Sequence, residues 1–129
     1  MRVKSKVNVR LYTNSTERDI LFAPDDIDAE YTTDEYGEEN SSQFSIAATA
    51  NTNLSLGTVG AVSGIFICAH GDFDLVLNGA AFALEVRRPS DAAASDPAKI
   101  YLDCSVTSVN IENVHATLPL VGYYAVWGD

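Results

Sequence analysis

Cysteine and histidine, the residues that most often build metal sites and catalytic bases, are scarce in this sequence of 129 residues, which has two of each. Cys68 and Cys104 lie in apolar strand patterns and show neither CxxC spacing nor a paired histidine. We interpret them as buried thiols rather than as a zinc site or a disulfide. His70 falls at a turn and His115 in a loop-like stretch, and an isolated histidine is typical of a surface or hydrogen-bonded residue.

Recognisable catalytic motifs are also lacking. The sequence has no P-loop, no GxGxxG fingerprint and no GxSxG elbow, and Ser63, the nearest serine to such an elbow, lacks the leading glycine. Asp72, Asp74 and Asp103 are outward-facing strand candidates, but any acidic β-protein offers similar carboxylate pairs for a glycosidase site. We therefore predict that the protein is not an enzyme and that it has no catalytic residues, no cofactor and no metal site.

Long apolar runs and basic charge are scarce as well. No apolar run approaches the roughly 18 residues that a membrane helix needs, and the N-terminal MRVKSKVNVR lacks the apolar core of a secretory signal. We therefore predict no membrane contact. Eight basic residues against 18 acidic ones give a formal net charge of −10, which argues against direct binding of nucleic acid.

The charges that are present are segregated along the chain. Five of the eight basic residues lie in the first 18 positions, and Val3 to Tyr12 alternates as a half-exposed strand, so residues 1–12 are predicted to form a basic strand or arm. The segment 25–40 carries eight acids and is interpreted as a solvated loop. Two alternatives stay open: a calcium loop on Asp26, Asp28 and Glu30, although Tyr31 replaces the required glycine, or pairing with the basic strand of another copy.

The densest apolar stretch, Ser63 to Arg88, is predicted to form three strands and two turns. Asn78-Gly79 is a strong hairpin signal, because a type I′ turn needs positive φ at both central residues. With these two residues as the loop, the facing pairs are Leu77 with Ala80, Leu75 with Phe82, and Phe73 with Leu84. An earlier turn at His70 to Asp72 would pair Ile65–Ala69 with the following strand, in one of two registers.

Further short strands are indicated at Gln43–Thr49, Leu54–Leu56, Ile100–Cys104 and Leu120–Trp127. A change in the alternation between Val106 and Val109 predicts a bulge or turn near Thr107-Ser108. No segment has a convincing helical pattern. The sequence therefore predicts one all-β domain over residues 1–129, an antiparallel β-sandwich of about eight or nine strands, with a jelly roll as the preferred topology.

Two segments resemble the small structural proteins of tailed bacteriophage virions: Leu56 to Gly79, LGTVGAVSGIFICAHGDFDLVLNG, and Ser105 to Asp129, SVTSVNIENVHATLPLVGYYAVWGD. The resemblance implies a jelly roll or related sandwich, no enzymatic activity and assembly in many copies on a virion put together in the host cytoplasm. It implies either a head decoration (cement) protein or a tail or neck component. The implied partners are the major capsid protein or other virion proteins, with self-association as a dimer or trimer.

Residues at the two ends of the chain are the candidates for a subunit interface. They are Arg2, Val3, Lys4, Lys6 and Arg10 in the basic strand, and Tyr123, Tyr124 and Trp127 in the last strand. The aromatic cluster has two other interpretations, core and sheet-edge packing or a platform on which a sugar ring stacks. A carbohydrate- or calcium-binding module is accordingly the alternative to a virion protein.

Overall fold

The computed structural model of the chain describes residues 2–6, 11–12, 20–22, 30–35, 38–89 and 96–129. Within these ranges the chain contains no helix and forms twelve strands, where eight or nine were expected. They are β1 (Arg2–Lys6), β2 (Leu11–Tyr12), β3 (Ile20–Phe22), β4 (Glu30–Glu35), β5 (Glu38–Ile46), β6 (Asn51–Asn53), β7 (Val62–Ala69), β8 (Phe73–Leu77), β9 (Leu84–Val86), β10 (Ala98–Val106), β11 (Val109–Asn113) and β12 (Leu120–Gly128).

Two compact units, residues 1–36 and 37–129, divide the chain. In the first unit β1 pairs antiparallel with β4, and β2 pairs with β3. The basic first strand therefore lies beside part of the acidic segment of its own chain, with Lys6 opposite Glu30. Residues 30–35 and 38–40 lie in strands, so the expectation of a loop across the whole acidic segment is wrong, whereas Asp26 and Asp28 lie outside the described residues.

The second unit contains two antiparallel sheets of four strands each. The front sheet has the order β10-β7-β12-β5 and the back sheet the order β6-β11-β8-β9. The pairs are nested along the chain, with β5 beside β12, β6 beside β11, β7 beside β10 and β8 beside β9. This arrangement confirms the predicted all-β class and is sandwich-like.

One apolar core lies between the inner faces of the two sheets. The front sheet buries Ile46, Val62, Ile65, Ile67, Ala69, Ala98, Val106, Leu120, Tyr124 and Val126, and the back sheet buries Phe73, Leu75, Val86, Val109 and Ile111. Full burial of one large apolar side chain stabilises a protein by about 1.5–3 kcal/mol relative to its exposure. The inner faces therefore account for the alternation of buried and more exposed residues along β8, along β11 and along residues 120–126 of β12.

The predicted hairpin between Ile65–Ala69 and Phe73–Leu77 is wrong. β7 lies in the front sheet between β10 and β12, whereas β8 lies in the back sheet between β11 and β9. The chain crosses from one sheet to the other through His70 to Asp72. Crossing places the two strands in opposite layers, so that their apolar inner faces pack toward each other across the core.

The Asn78-Gly79 turn is confirmed. Asn78 has φ +55° and Gly79 φ +64°, and the Ala80 amide donates a hydrogen bond to the Leu77 carbonyl at 3.0 Å. Beyond the turn the predicted register is wrong by two residues, because β9 begins only at Leu84, which lies opposite Leu75.

This slip changes which side chains reach the core. Val86 takes the position opposite Phe73 that was predicted for Leu84, and Phe82 is 87% exposed instead of buried. The slip also places Asp74 opposite Glu85, two like charges. Arg87 offsets their repulsion, since its Nη2 lies 2.7 Å from Asp74 and 3.6 Å from Glu85.

The Asn78 side chain fastens the hairpin to the neighbouring loop. Its Oδ1 accepts hydrogen bonds from the Thr107 amide at 2.7 Å and the Thr107 hydroxyl at 3.1 Å, and its Nδ2 donates to the Ser105 carbonyl at 3.0 Å. The predicted break at Thr107-Ser108 is confirmed, because β10 ends at Val106 and β11 begins at Val109 in the other sheet.

Other strand boundaries differ from the predicted ones by a few residues. The strand expected at Gln43–Thr49 is β5, which begins at Glu38 and ends at Ile46, and the short strand expected at Leu54–Leu56 lies at Asn51–Asn53. Leu54 is nevertheless buried, as its apolar pattern suggested. The last strand, predicted over Leu120–Trp127, extends by one residue to Gly128.

Asn78→Ala is expected to destabilise the protein by about 2–3 kcal/mol, because alanine disfavours positive φ and removes the side-chain hydrogen bonds to residues 105 and 107. Asn78→Gly should recover about 1 kcal/mol of this loss, since glycine tolerates the backbone conformation but makes none of the bonds. Urea unfolding followed by Trp127 fluorescence measures both values. Equal stability of Asn78→Ala and the unaltered protein would contradict the structural role of this side chain.

Candidate functional site

The outer face of the front sheet, which points away from the core, is apolar along its two middle strands. β7 supplies Phe66 and Cys68, and β12 supplies Val121, Tyr123 and Ala125. Val121 is 46% exposed and Tyr123 50% exposed. The edge strands surround this apolar strip with polar residues: Lys99 and Asp103 on β10, and Glu39, Ser41, Gln43 and Ser45 on β5.

Tyr123 lies at the centre of the exposed part of this face. Its ring centroid is 6.1 Å from that of Phe66. A shallow depression of about 310 Å³ beside it is lined by Ser41, Ser42, Gln43, Phe66, Tyr123, Tyr124 and Ala125. A hydrogen bond with the neighbouring Cys68 thiol raises the pKa of the Tyr123 hydroxyl, so this group stays protonated and polar at neutral pH.

Trp127 lies at the opposite end of the same face and is only 4% exposed. Its indole covers Gly64, where a Cβ atom would overlap the ring, and its ring centroid is 5.7 Å from that of Tyr101. The indole Nε1 and the Tyr101 hydroxyl are buried without a hydrogen-bond partner among the described residues. Such orphaned polar atoms are uncommon in folded proteins.

Tyr124 points to the other side of β12, into the core. It is 4% exposed, its hydroxyl donates to the Ser55 carbonyl at 2.9 Å, and its ring centroid is 6.4 Å from that of Phe44. The three aromatic residues grouped from the sequence are therefore separated, and Tyr123 is the one with an exposed ring. Of the interface candidates in the basic strand, Arg2, Val3, Lys4 and Lys6 lie in β1 of the first unit, and Arg10 lies outside the described residues.

A second feature, the end cleft, lies at the end of the second unit where β7, β9 and β11 finish. It has a volume of about 540 Å³ and is lined by His70, Gly71, Asp72, Arg88, Pro89, Val114, His115 and Leu118. Sequence reasoning treated His70 and His115 as isolated residues. The β8–β11 register joins them. It places Asn113 opposite Phe73, so the loop after β11, which carries His115, lies near the loop before β8, which carries His70.

Asn113, only 1% exposed, organises the loop that carries His115. Its Nδ2 donates to the carbonyls of Ile46 at 3.1 Å, Ala47 at 3.2 Å and Leu118 at 2.8 Å, and its Oδ1 accepts from the His115 amide at 2.9 Å. Every polar atom of this buried amide is therefore satisfied, which fixes the path of the loop.

The His115 ring closes the same loop. Its Nδ1 accepts hydrogen bonds from the amides of Thr117 at 3.1 Å and Leu118 at 3.0 Å. An imidazole nitrogen that accepts carries no proton, so the proton of the neutral ring lies on Nε2. The ring therefore presents Nε2–H as its donor.

The opposite wall of the cleft is held by Asp72 and Arg88. The Arg88 amide donates to Asp72 Oδ1 at 2.8 Å, and the Arg88 Nε donates to the Asp96 carbonyl at 2.7 Å. These bonds anchor both side chains near the end of β9. Hydrogen bonds of Asn113 and His115 on one side, and of Asp72 and Arg88 on the other, therefore fix the positions of the cleft walls.

Metal and membrane features are absent from the described ranges. No group of three or more His, Cys, Asp or Glu residues is placed there to hold a metal ion, and no helix there is able to cross a membrane. Cys68 and Cys104 are both free thiols; Cys68 is buried, as predicted, whereas Cys104 is half-buried. No protein-family model matches the chain. No curated protein matches it either.

Asn113→Asp is expected to destabilise the protein by more than about 3 kcal/mol, because a carboxylate replaces the amide that donates to three carbonyls in a buried site. Asn110→Asp is the matched control on the same strand, where the amide is bonded to Asn51 and Asn53 at the exposed side, and should cost less than about 1 kcal/mol. Urea unfolding of both variants measures the difference. Similar losses in the two variants would contradict the central role of Asn113.

Cys104 should react slowly with iodoacetamide at neutral pH. Burial and, secondarily, the Asp103 carboxylate raise the pKa of its thiol, so less of the reactive thiolate is present than in a free cysteine. The rate should rise steeply only above the ordinary pKa of a thiol, and Asp103→Asn should increase it at neutral pH. Peptide mass spectrometry measures the rate, and a native rate equal to that in urea would contradict this expectation.

Proposed function

We propose that this protein is a non-enzymatic structural protein of a tailed-bacteriophage virion, and within the virion a capsid decoration (cement) protein that stabilises the head. The observation that carries the proposal is the apolar outer face of the front sheet around Tyr123. The resemblance of residues 56–79 and 105–129 to small phage virion proteins supports a virion as the assembly in which this face makes its contacts.

The composition of the outer face supports assembly. An antiparallel sheet that faces water usually alternates apolar inward with polar outward residues. On β7 and β12 the outward positions are instead Phe66, Cys68, Val121, Tyr123 and Ala125. An apolar centre with aromatic residues and a polar rim is the usual anatomy of a protein–protein interface.

The charges at the rim favour a second copy of this chain as the occupant. On the outer face of β10, the exposed Lys99 and Asp103 lie on either side of Tyr101. A two-fold axis parallel to the sheet and perpendicular to its strands would bring Lys99 of one copy over Asp103 of the other. The face is therefore complementary to itself in charge, which a two-fold interface requires.

The nested strand pairs support a jelly-roll topology. One long antiparallel ribbon is formed by four strand pairs: β5 with β12, β6 with β11, β7 with β10 and β8 with β9. The ribbon is folded so that successive pairs fall in alternate sheets. Two four-stranded sheets connected in this way are the arrangement expected of a jelly roll, an architecture common among viral capsid and lectin domains. The fold alone assigns no role, so it strengthens the proposal without carrying it.

In this proposal the second unit is the self-associating body, and the basic strand β1 contacts the major capsid protein or another virion protein. A tail or neck position is the alternative within the virion. Copy number distinguishes the two, because a decoration protein is expected in many copies per particle and a tail or neck component in few. Quantitative mass spectrometry of purified virions measures it.

Binding of a carbohydrate is a second candidate, favoured by one feature. The half-exposed ring of Tyr123 borders a depression whose other side is lined by Ser41, Ser42 and Gln43. An aromatic face beside small polar side chains suits a sugar ring. Saturable binding on a glycan array that Tyr123→Ala abolishes would favour this function over assembly.

Tyr123→Asp is expected to weaken self-association at least about tenfold, because it places a charge at the centre of the apolar face. Phe82→Asp is the matched control, since it makes the same kind of change at an 87% exposed residue of the β8–β9 turn, away from this face. Analytical ultracentrifugation of the two variants measures the oligomer. Incorporation into virions should follow the same order.

Two results would overturn the proposal. One is an unaltered protein that stays monomeric at every concentration and is missing from purified virions. The other is equal loss of association in Tyr123→Asp and Phe82→Asp, which would attribute the effect to added charge and not to the outer face.

A further inference from the structure

The end cleft gathers an unusual share of the cationic and imidazole side chains of the second unit. Between residues 38 and 129 the sequence has three lysines or arginines and both histidines, namely Arg87, Arg88, Lys99, His70 and His115. Three of these five line the cleft. The described residues of the same range include nine acids, Glu38, Glu39, Asp72, Asp74, Glu85, Asp96, Asp103, Glu112 and Asp129, and among these nine Asp72 lines it.

Among the described lining residues, cationic and imidazole donors therefore outnumber acids, although the net charge of the protein is −10. Asp72, the acid in the lining, already accepts the Arg88 amide through Oδ1. The guanidinium charge of Arg88 lies in the same wall. A concave site in which donors and positive charge outnumber acceptors favours an anion.

The His115 turn gives this site a donor in a fixed position. Because Nδ1 accepts the amides of Thr117 and Leu118, the neutral ring donates through Nε2–H without a change of tautomer. Asn113 holds the same loop through its amide, so the donor is positioned before any ligand arrives. A positioned donor avoids part of the ordering cost that weakens most binding sites.

Size and lining narrow the class of ligand. A cavity of about 540 Å³ falls within the range of roughly 300–1,000 Å³ typical of small-molecule sites. Pro89, Val114 and Leu118 add apolar surface, and Val114 is 40% and Leu118 58% exposed. A ligand with an anionic head and a short carbon skeleton matches this combination.

We propose that the end cleft is a binding site for a small oxyanion ligand, a carboxylate or a phosphate, held by the imidazoles of His70 and His115 beside Arg88. The site is separate from the outer face of the front sheet and does not depend on the proposed virion role. Carboxylate and phosphate share the recognition chemistry, since both offer several strong acceptor oxygens to N–H donors.

Titration of the ¹⁵N-labelled full chain tests the proposal, with sodium phosphate in one arm, sodium citrate in the second, and sodium chloride at matched ionic strength in the third. Saturable shifts of the Gly71, Thr117 and Leu118 amides are expected with phosphate or citrate and not with chloride. The arm with the tighter binding identifies the head group. Absence of saturable shifts in both oxyanion arms would overturn the proposal.

His115→Asn separates the donor from the fold of the loop. The Oδ1 of asparagine occupies the place of Nδ1 and still accepts the amides of residues 117 and 118, but no donor remains at the Nε2 position. This variant should keep its unfolding midpoint and bind the oxyanion about tenfold more weakly.

Lys99→Ala is the matched control, because it removes a positive charge from the same unit outside the cleft. Its oxyanion affinity should equal that of the unaltered protein. His70→Ala removes the second imidazole of the lining and should weaken binding as His115→Asn does. Equal affinity of His115→Asn, His70→Ala and Lys99→Ala would assign binding to general charge and overturn the site.

Discussion

The left-handed turn at Asn78-Gly79 is the constraint on which the second unit depends. Among the described strands of this unit, β8 and β9 are the one pair of consecutive strands that lie side by side in a sheet, and every other connection changes sheet. The remaining pairs, β7 with β10, β6 with β11 and β5 with β12, are nested outward from this turn along the chain. Asn78 also bonds residues 105 and 107, which ties the turn to the next crossing between the sheets.

Asn113 performs the corresponding task at the other end of the unit. Asn78 follows the last residue of β8, and Asn113 is the last residue of β11, its antiparallel neighbour, so the two amides lie at opposite ends of the back sheet. Asn78 stabilises the crossing from β10 to β11 through surface hydrogen bonds to residues 105 and 107. Asn113 stabilises the crossing from β11 to β12 through buried hydrogen bonds. The end cleft is a consequence, because the loop that Asn113 holds is the wall that carries His115.

Local features of this fold were predictable, and long-range ones were not. The Asn78-Gly79 turn, the break at Thr107-Ser108 and the last strand at Leu120–Trp127 each depend on a few adjacent residues, and the sequence predicts them correctly. The sheet to which β7 belongs depends on partners far along the chain, and its two apolar faces are equally compatible with both sheets. The two-residue slip before Leu84 leaves the alternation unchanged, so periodicity alone cannot detect it. The end cleft was not predicted because the β8–β11 register, which periodicity does not reveal, brings its two histidines together.

The last strand shows how one segment serves the core and the surface at once. Tyr124 and Val126 point inward and are buried, whereas Val121 and Tyr123 point outward and are about half exposed. At the far end Trp127 also points outward, yet it is buried over Gly64, where a larger residue would displace the ring. The outer face is therefore already filled at one end and open at the other. A partner gains most by covering the open end, where Tyr123 and Phe66 offer apolar surface that water now contacts and a polar rim fixes the orientation of binding.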